Sequence, residues 1–299
     1  MPAAILYRRS PHLVCYWSNG QFLFHNYAFR TRTLAGPLAC EVLDFFEDWK
    51  PATALFEGKP GYPPAGLSDL VISLVRARLL QRSDQPPAPE EAAMSKLDRW
   101  NPAAGFFHSA TKDVKFLGIR EGERQLRRQA RSWPMPAPVK RYPRAPRVNL
   151  GPVDSDSPTA RALLGRRSWR QFGNGKIPLQ TFGTLLGLTA GVQKWLTASS
   201  GQRVALKTSP SGGARHPIEL YTLAWGIDGL PRGLYHYAAD THELELVKRG
   251  LGSSRVAEYL PHGEYWSDAC AVILFSAVFE RDIWRYPYSR AYRAPFIEA

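Results

Sequence analysis

Two apolar runs, HLVCYW and QFLFHNYAF, flank a Ser18-Asn19-Gly20 turn near the start of the chain. An Asn-Gly pair between such runs predicts a β-hairpin within strands spanning 11–33. The period then changes. In LAGPLACEVLDFFEDW, Leu38, Val42, Leu43, Phe45 and Phe46 recur at helical spacing. After the break Pro63-Pro64-Ala65-Gly66, LSDLVISLVRARLLQRS repeats the pattern with Leu70, Ile72, Leu74, Val75 and Leu79. A hairpin followed by short amphipathic helices predicts a small winged-helix unit over residues 1–90.

From 91 to 147 the composition shifts towards proline and arginine. QPPAPEEAA and SWPMPAPVKRYPRAP read as extended linker. WNPAAGFFHSATKDVKF between them holds too many aromatics for a free tether and is expected to dock on a domain surface. A second domain is expected over 148–299. Ser157 followed by Pro158 reads as an N-cap and first helical residue. Beyond Gly173-Asn174-Gly175, IPLQTFGTLLGLTAGV places Leu179, Phe182, Leu185 and Leu186 on one helical face. Strands PIELYTLAWGI, the hairpin GLYHYAADTHELELV and AVILFSAVF follow. Helices first and a mostly antiparallel sheet afterwards predict an α+β domain.

Charge and cysteine content narrow the partners. The net charge is +13, and the stretch Lys112–Arg147 carries eleven Lys/Arg against three Asp/Glu, more than half of that excess. A run of this kind is a phosphate-tracking patch or a solvated face. With no aromatic-interleaved reading surface beside it, a nucleic-acid partner is not expected. No apolar run reaches the length of a membrane span, and MPAAILYRRSPHLVCYW lacks a signal-peptide pattern. Cys15, Cys40 and Cys270 are widely spaced and include no CxxC pair, which predicts reduced thiols, no zinc site and a cytoplasmic location.

Two stretches carry candidate chemistry. In GRRSWRQF, Arg166, Ser168 and Arg170 alternate, which suits a phosphate clamp of guanidinium forks and a hydroxyl. A basic helix end complementing the dipole is the simpler reading. In SPSGGARHPIELY, a bare backbone leads directly into an alternating strand. Arg215 and His216 inside it either anchor the loop or reach a ligand.

RRSWR, then SPSGGARHP, then RYPYSRAYR together resemble the SagB/ThcOx-type dehydrogenases of the nitroreductase superfamily, over about residue 150 to the last residue. The resemblance implies a nitroreductase-like α+β fold, a homodimer and the cofactor FMN. It implies that Arg166, Ser168 and Arg170 bind the flavin phosphate and ribityl chain, and that Pro210, Ser211, Gly212, Gly213 and Ala214 lie against the ring. Glycines let backbone approach a flat ring and present N–H groups to its polar edge. The first 90 residues resemble PqqD-like domains, which implies recognition of a precursor peptide, with a cyclodehydratase as further partner. Related azole-forming enzymes have a Lys-Tyr pair where this chain has Arg285-Tyr286, the catalytic candidates here. Arginine keeps its proton in essentially all protein settings, so Arg285 suits anion stabilisation and Tyr286 proton relay.

The resemblance also implies a C-terminally truncated domain that binds FMN poorly by itself. The expected function is FMN-dependent oxidation of azoline rings, or a related group, on a ribosomally made peptide. Three rivals remain open at this level: an NAD(P)H oxidoreductase of small molecules, a non-catalytic peptide-binding remnant, and a nucleic-acid binder built on the winged helix.

Overall fold

The computed structural model describes every residue except 1–3, 114–116, 134, 154, 174, 199–200, 261–265 and 267. Asn174 of the expected turn, and the end of WNPAAGFFHSATKDVKF, therefore lie outside the described residues. In chain order the elements are β1 (Leu6–Arg9), β2 (Leu13–Ser18), β3 (Gln21–Asn26), β4 (Thr31–Leu34), α1 (Pro37–Phe45), β5 (Lys50–Pro51), α2 (Ala52–Gly58), α3 (Pro64–Arg76) and β6 (Leu80–Arg82). There follow α4 (Pro89–Ser95), α5 (Pro102–Thr111), α6 (Ile119–Ser132), α7 (Pro158–Gly165), α8 (Leu179–Ala190), β7 (Val192–Thr197) and β8 (Arg203–Lys207). The chain continues with β9 (Ile218–Ala224), β10 (Gly233–Ala238), β11 (Glu243–Arg249), α9 (Val256–Tyr259), β12 (Ala271–Ala277), α10 (Phe279–Arg285) and α11 (Ala294–Glu298). The fold is α+β. Among the described residues no helix is long and apolar enough to cross a membrane.

The residues form two compact units, one of 1–114, 192–219 and 275–299, the other of 115–191 and 220–274. Neither is a single run of sequence, and neither ends at residue 90 or 147.

In the first unit the hairpin forms at its predicted turn. Asn19 and Gly20 both take positive φ (50° and 75°), which joins β2 and β3 in register from Leu13↔Asn26 to Ser18↔Gln21. Val42 and Leu43 of α1, Leu55 of α2, and Leu67, Val71 and Leu74 of α3 close one core with Phe24, Phe46, Leu79 and Leu80. A second core joins Tyr27, Met94, Leu97, Trp100 and Ala104 to Ile283, Ala291 and Tyr292. Trp100 donates its indole N–H to the Tyr286 carbonyl (3.3 Å), and the Asn101 N–H donates to Ser289 Oγ (3.0 Å). The aromatic segment around Trp100 thus docks, as its composition required.

In the second unit α7 starts where Ser157 predicts, its hydroxyl accepting the Ala160 N–H (3.1 Å). The sheet order is β11-β10-β9-β12. Alternating burial along β10 puts Tyr235 and Tyr237 inside. In α8, Phe182 and Leu186 are buried, whereas Leu179 and Leu185 are exposed, so the apolar face is narrower than expected.

Residues 91–147, expected as a proline-rich basic linker around a docked aromatic segment, carry most of α4, all of α5 and all of α6. The extended description fits only the exposed stretch from Met135 to Leu150. β7 and β8, which pair antiparallel from Val192↔Lys207 to Thr197↔Arg203, were not expected. Their largely exposed faces hide the period-2 signal.

Candidate functional site

Within the first unit the glycine loop meets the pair Arg285-Tyr286, some 70 residues further along the chain. The loop leaves β8, tightens into a single 3-10 turn at Gly212–Ala214, and enters β9. Gly213, Ala214 and His216 all have positive φ (63°, 53° and 45°). Two residues with side chains are therefore held in the left-handed region, where they are strained. Hydrogen bonds from within the loop and from Arg281 hold them. Ser211 Oγ accepts the His216 N–H (2.8 Å), and Arg215 Nε donates to the Gly213 carbonyl (2.9 Å). Arg281 donates to the His216 carbonyl (2.6 Å) and forms an ion pair with Glu219. The Arg215 guanidinium lies 5.2 Å from the Trp284 ring centre.

His216 is buried, and its Nε2 lies 2.9 Å from the Ala205 carbonyl, so Nε2 carries the proton and donates. Burial lowers its pKa, against the opposing effect of that bond.

Of the two glycines, Gly213 is the one the packing requires. A Cβ added at Gly213 would lie 2.8 Å from the Tyr286 hydroxyl and 3.7 Å from Arg285 Cγ. At Gly212 the nearest atoms would be Glu298 Oε1 (3.8 Å) and the Tyr286 ring (3.9 Å). Tyr286 and Glu298 thus cover the face of the loop that the sequence marks for close approach. Glu298, on α11, accepts from both the Ser211 hydroxyl and the Gly212 N–H (3.0 Å each). The Ser211 hydroxyl and Gly212 N–H thus form a donor pair that holds one carboxylate oxygen of the chain itself.

Asp282 was not singled out by the sequence. It lies on α10, four residues before Tyr286 at the helix C-cap, is fully buried, and among the described residues neither carboxylate oxygen has a hydrogen-bond partner. Burial pushes its pKa up to about 6; Glu298 adds to the rise and Arg215 opposes it. The signal available in the sequence was Asp282 and Tyr286 at i, i+4, a spacing that puts both on one face of FERDIWRY. Glu298 gave no such signal, because its role depends on where α11 lies.

Arg166, Ser168 and Arg170 belong to the second unit, in the non-helical segment after α7. All three are exposed, and among the described residues Arg166 and Arg170 form no ion pair. Arg167 caps the helix end, donating to the carbonyls of Leu164 and Arg166 (2.9 and 2.8 Å). For this arginine the reading as a basic helix terminus holds.

A cavity of about 500 Å³ lies elsewhere in the first unit, beside β6, the outer strand of the sheet β5-β1-β6. Its wall includes Arg8, stacked 4.8 Å from the Trp49 ring centre, and Arg78, 4.9 Å from that of Phe29.

No family model matches the chain. Over 92 residues it is 36% identical to the trifolitoxin-processing protein TfxB of Rhizobium leguminosarum bv. trifolii, a match taking in 29% of this chain and 24% of that protein. The chain thus spans about a quarter of the curated relative it matches. The crystal structure of a protein described as a nitroreductase, from Anabaena variabilis, aligns with a TM-score of 0.36 and 30% identity, covering 40% of this chain and 24% of that one. The E. coli microcin synthetase McbBCD complex with truncated pro-MccB17 bound aligns with a TM-score of 0.38 and 18% identity, covering 64% and 66%. Both scores are too low to bear on the fold.

Proposed function

We propose that this chain is an FMN-dependent oxidoreductase of the nitroreductase type that modifies a ribosomally made peptide, by oxidation of an azoline ring or a related group. The observation that carries this reading is the meeting of the loop Pro210–Ala214 with Arg285 and Tyr286. The 36% identity to a trifolitoxin-processing protein supports the peptide substrate.

The donor set fits the cofactor. Gly212 N–H and the Ser211 hydroxyl together satisfy a carboxylate oxygen here, and the carbonyl edge of an isoalloxazine ring offers the same kind of acceptor. The resemblance assigns Arg166, Ser168 and Arg170 to the flavin phosphate and ribityl chain, for which exposed guanidiniums with no ion pair among the described residues are suited. When bound, FMN supplies a two-electron acceptor that takes hydride.

The chain's own residues do the rest. Arg285 offers a guanidinium that orients or stabilises an anion. Tyr286, with its hydroxyl over Gly213, relays one. Asp282, with its pKa near 6, is the group beside the loop able to hold or release a proton close to neutrality. The cavity beside β6 gives the first unit a concave, arginine-bearing surface for an extended peptide. A cyclodehydratase and a second copy of the chain are the further partners of this reading.

The test is a fluorescence titration of FMN with the purified chain. Saturable quenching at one flavin per chain is expected, with Arg170→Ala weakening it. No quenching up to about 1 mM, where binding is worth only ~4 kcal/mol, overturns the proposal. Quenching unchanged in Arg170→Ala removes that arginine from the site.

A further inference from the structure

α6 buries none of its residues. A helix of this length without tertiary packing is marginal in water, and its charge makes it more so. At 3.6 residues per turn, Arg120, Arg124, Arg127, Arg128 and Arg131 fall within an arc of about 100°. Arg120/Arg124, Arg124/Arg128 and Arg127/Arg131 stand at i, i+4, and each like-charged pair weakens the helix. Among the described residues the stripe has one ion pair, Arg127 with Glu123 at 3.0 Å. Lys140, Arg141, Arg144 and Arg147 extend the positive charge along the exposed chain beyond it.

A second stripe runs along another side of the same helix. Ile119, Leu126 and Ala130 share a face roughly 120° from the arginines, and Trp133 follows the last turn. Leu126 and Trp133 are both 66% exposed. Glu121 and Glu123 flank the arginine arc on either side. This is a basic amphipathic helix with both of its faces uncovered.

We infer that α6 docks into an apolar groove rimmed by carboxylates on a partner protein. Charge complementarity selects the rim, and the Leu126 stripe selects the floor. A nucleic acid would engage the arginines and leave Leu126 in water. A second copy of this chain, itself at +13, would be repelled by the stripe. The inference is independent of the flavin reading, because it uses no residue of the glycine loop.

Calcium-loaded calmodulin, an acidic protein with an apolar groove, serves as the probe of this chemistry, with the full chain as its binding partner. Anisotropy of labelled calmodulin should report a saturable complex. Both Leu126→Asp and the pair Arg124→Glu/Arg128→Glu should weaken it about tenfold or more. These positions are exposed, so FMN titration and thermal melting of the variants should match the parent. Duplex and single-stranded oligonucleotides and phosphatidylglycerol vesicles are titrated in parallel. Failure to bind calmodulin, or binding unmoved by Leu126→Asp, overturns the proposal. Tighter binding to an oligonucleotide that ignores Leu126→Asp reassigns the stripe to nucleic acid, and tighter binding to vesicles reassigns it to a membrane surface.

Discussion

Replacing Gly213 by alanine tests the loop on which the proposed function rests. Gly213 sits at φ 63°, where an L-residue pays about 1–2 kcal/mol. Ala214 and His216 already bear such strain, so nothing in the loop is left to absorb more. The added carbon also lands 2.8 Å from the Tyr286 hydroxyl oxygen. That oxygen ends a rotatable side chain, so the contact adds up to about 1 kcal/mol and moves the tyrosine off the loop. Gly212→Ala is the internal control, because a Cβ there meets atoms only at 3.8 Å or beyond. Its cost should stay under ~0.5 kcal/mol. In urea, with a slope near ~2 kcal/mol/M, Gly213→Ala should lower the midpoint by about 0.5–1.5 M while Gly212→Ala barely moves it. In the Gly213→Ala/Tyr286→Phe double variant the hydroxyl contact is gone and only the backbone cost remains. Equal midpoints for the two glycine variants, or a tyrosine change that leaves the Gly213→Ala cost untouched, would refute this account of the loop.

Asp282 makes stability depend on pH in a direction opposite to a salt-bridged carboxylate. Its folded pKa of about 6 lies above the ordinary 3.8, so the folded chain binds a proton that the unfolded chain releases. Stability therefore falls as pH rises from about 4 to about 6, by ~3 kcal/mol at most. Asp282→Asn should flatten that window and be the more stable protein at pH 7–8; equal pH profiles by thermal melting would contradict it. Glu298→Gln replaces a charge-assisted pair of hydrogen bonds on the loop by weaker neutral ones. FMN should then bind about fivefold more tightly, a gain of ~1 kcal/mol; unchanged affinity would mean that Glu298 does not compete for those donors.

Legibility in the sequence followed the origin of each feature. The β2–β3 hairpin was readable because Asn19-Gly20 fixes a turn by local backbone preference. The cap at Ser157 is equally local. Helix α6 was not readable: its apolar positions are too sparse to register as a period, and its arginines look like a linker until the helix gathers them on one face. The β7–β8 hairpin escaped for a related reason, since a ladder exposed on both faces need not alternate. The glycine loop was legible as a place of close approach, but what approaches it was not. Tyr286 and Glu298 reach Gly212 and Gly213 through tertiary packing alone, and the same packing strips Asp282 of water.

The threading of the chain sets an order for its synthesis. The first unit draws on 1–114, 192–219 and 275–299, so its parts leave the ribosome far apart in time. Val42, Leu55 and Leu74 can close their core early, because all their partners precede residue 81. Trp100, Met94 and Tyr27 cannot; they wait for Ile283, Ala291 and Tyr292. During that interval the nascent chain carries a cluster of apolar side chains with nothing to cover it, the kind of surface that chaperones bind and aggregates grow from. Maturation of the glycine loop falls at the same late moment, since Tyr286 and Glu298 arrive with that last segment.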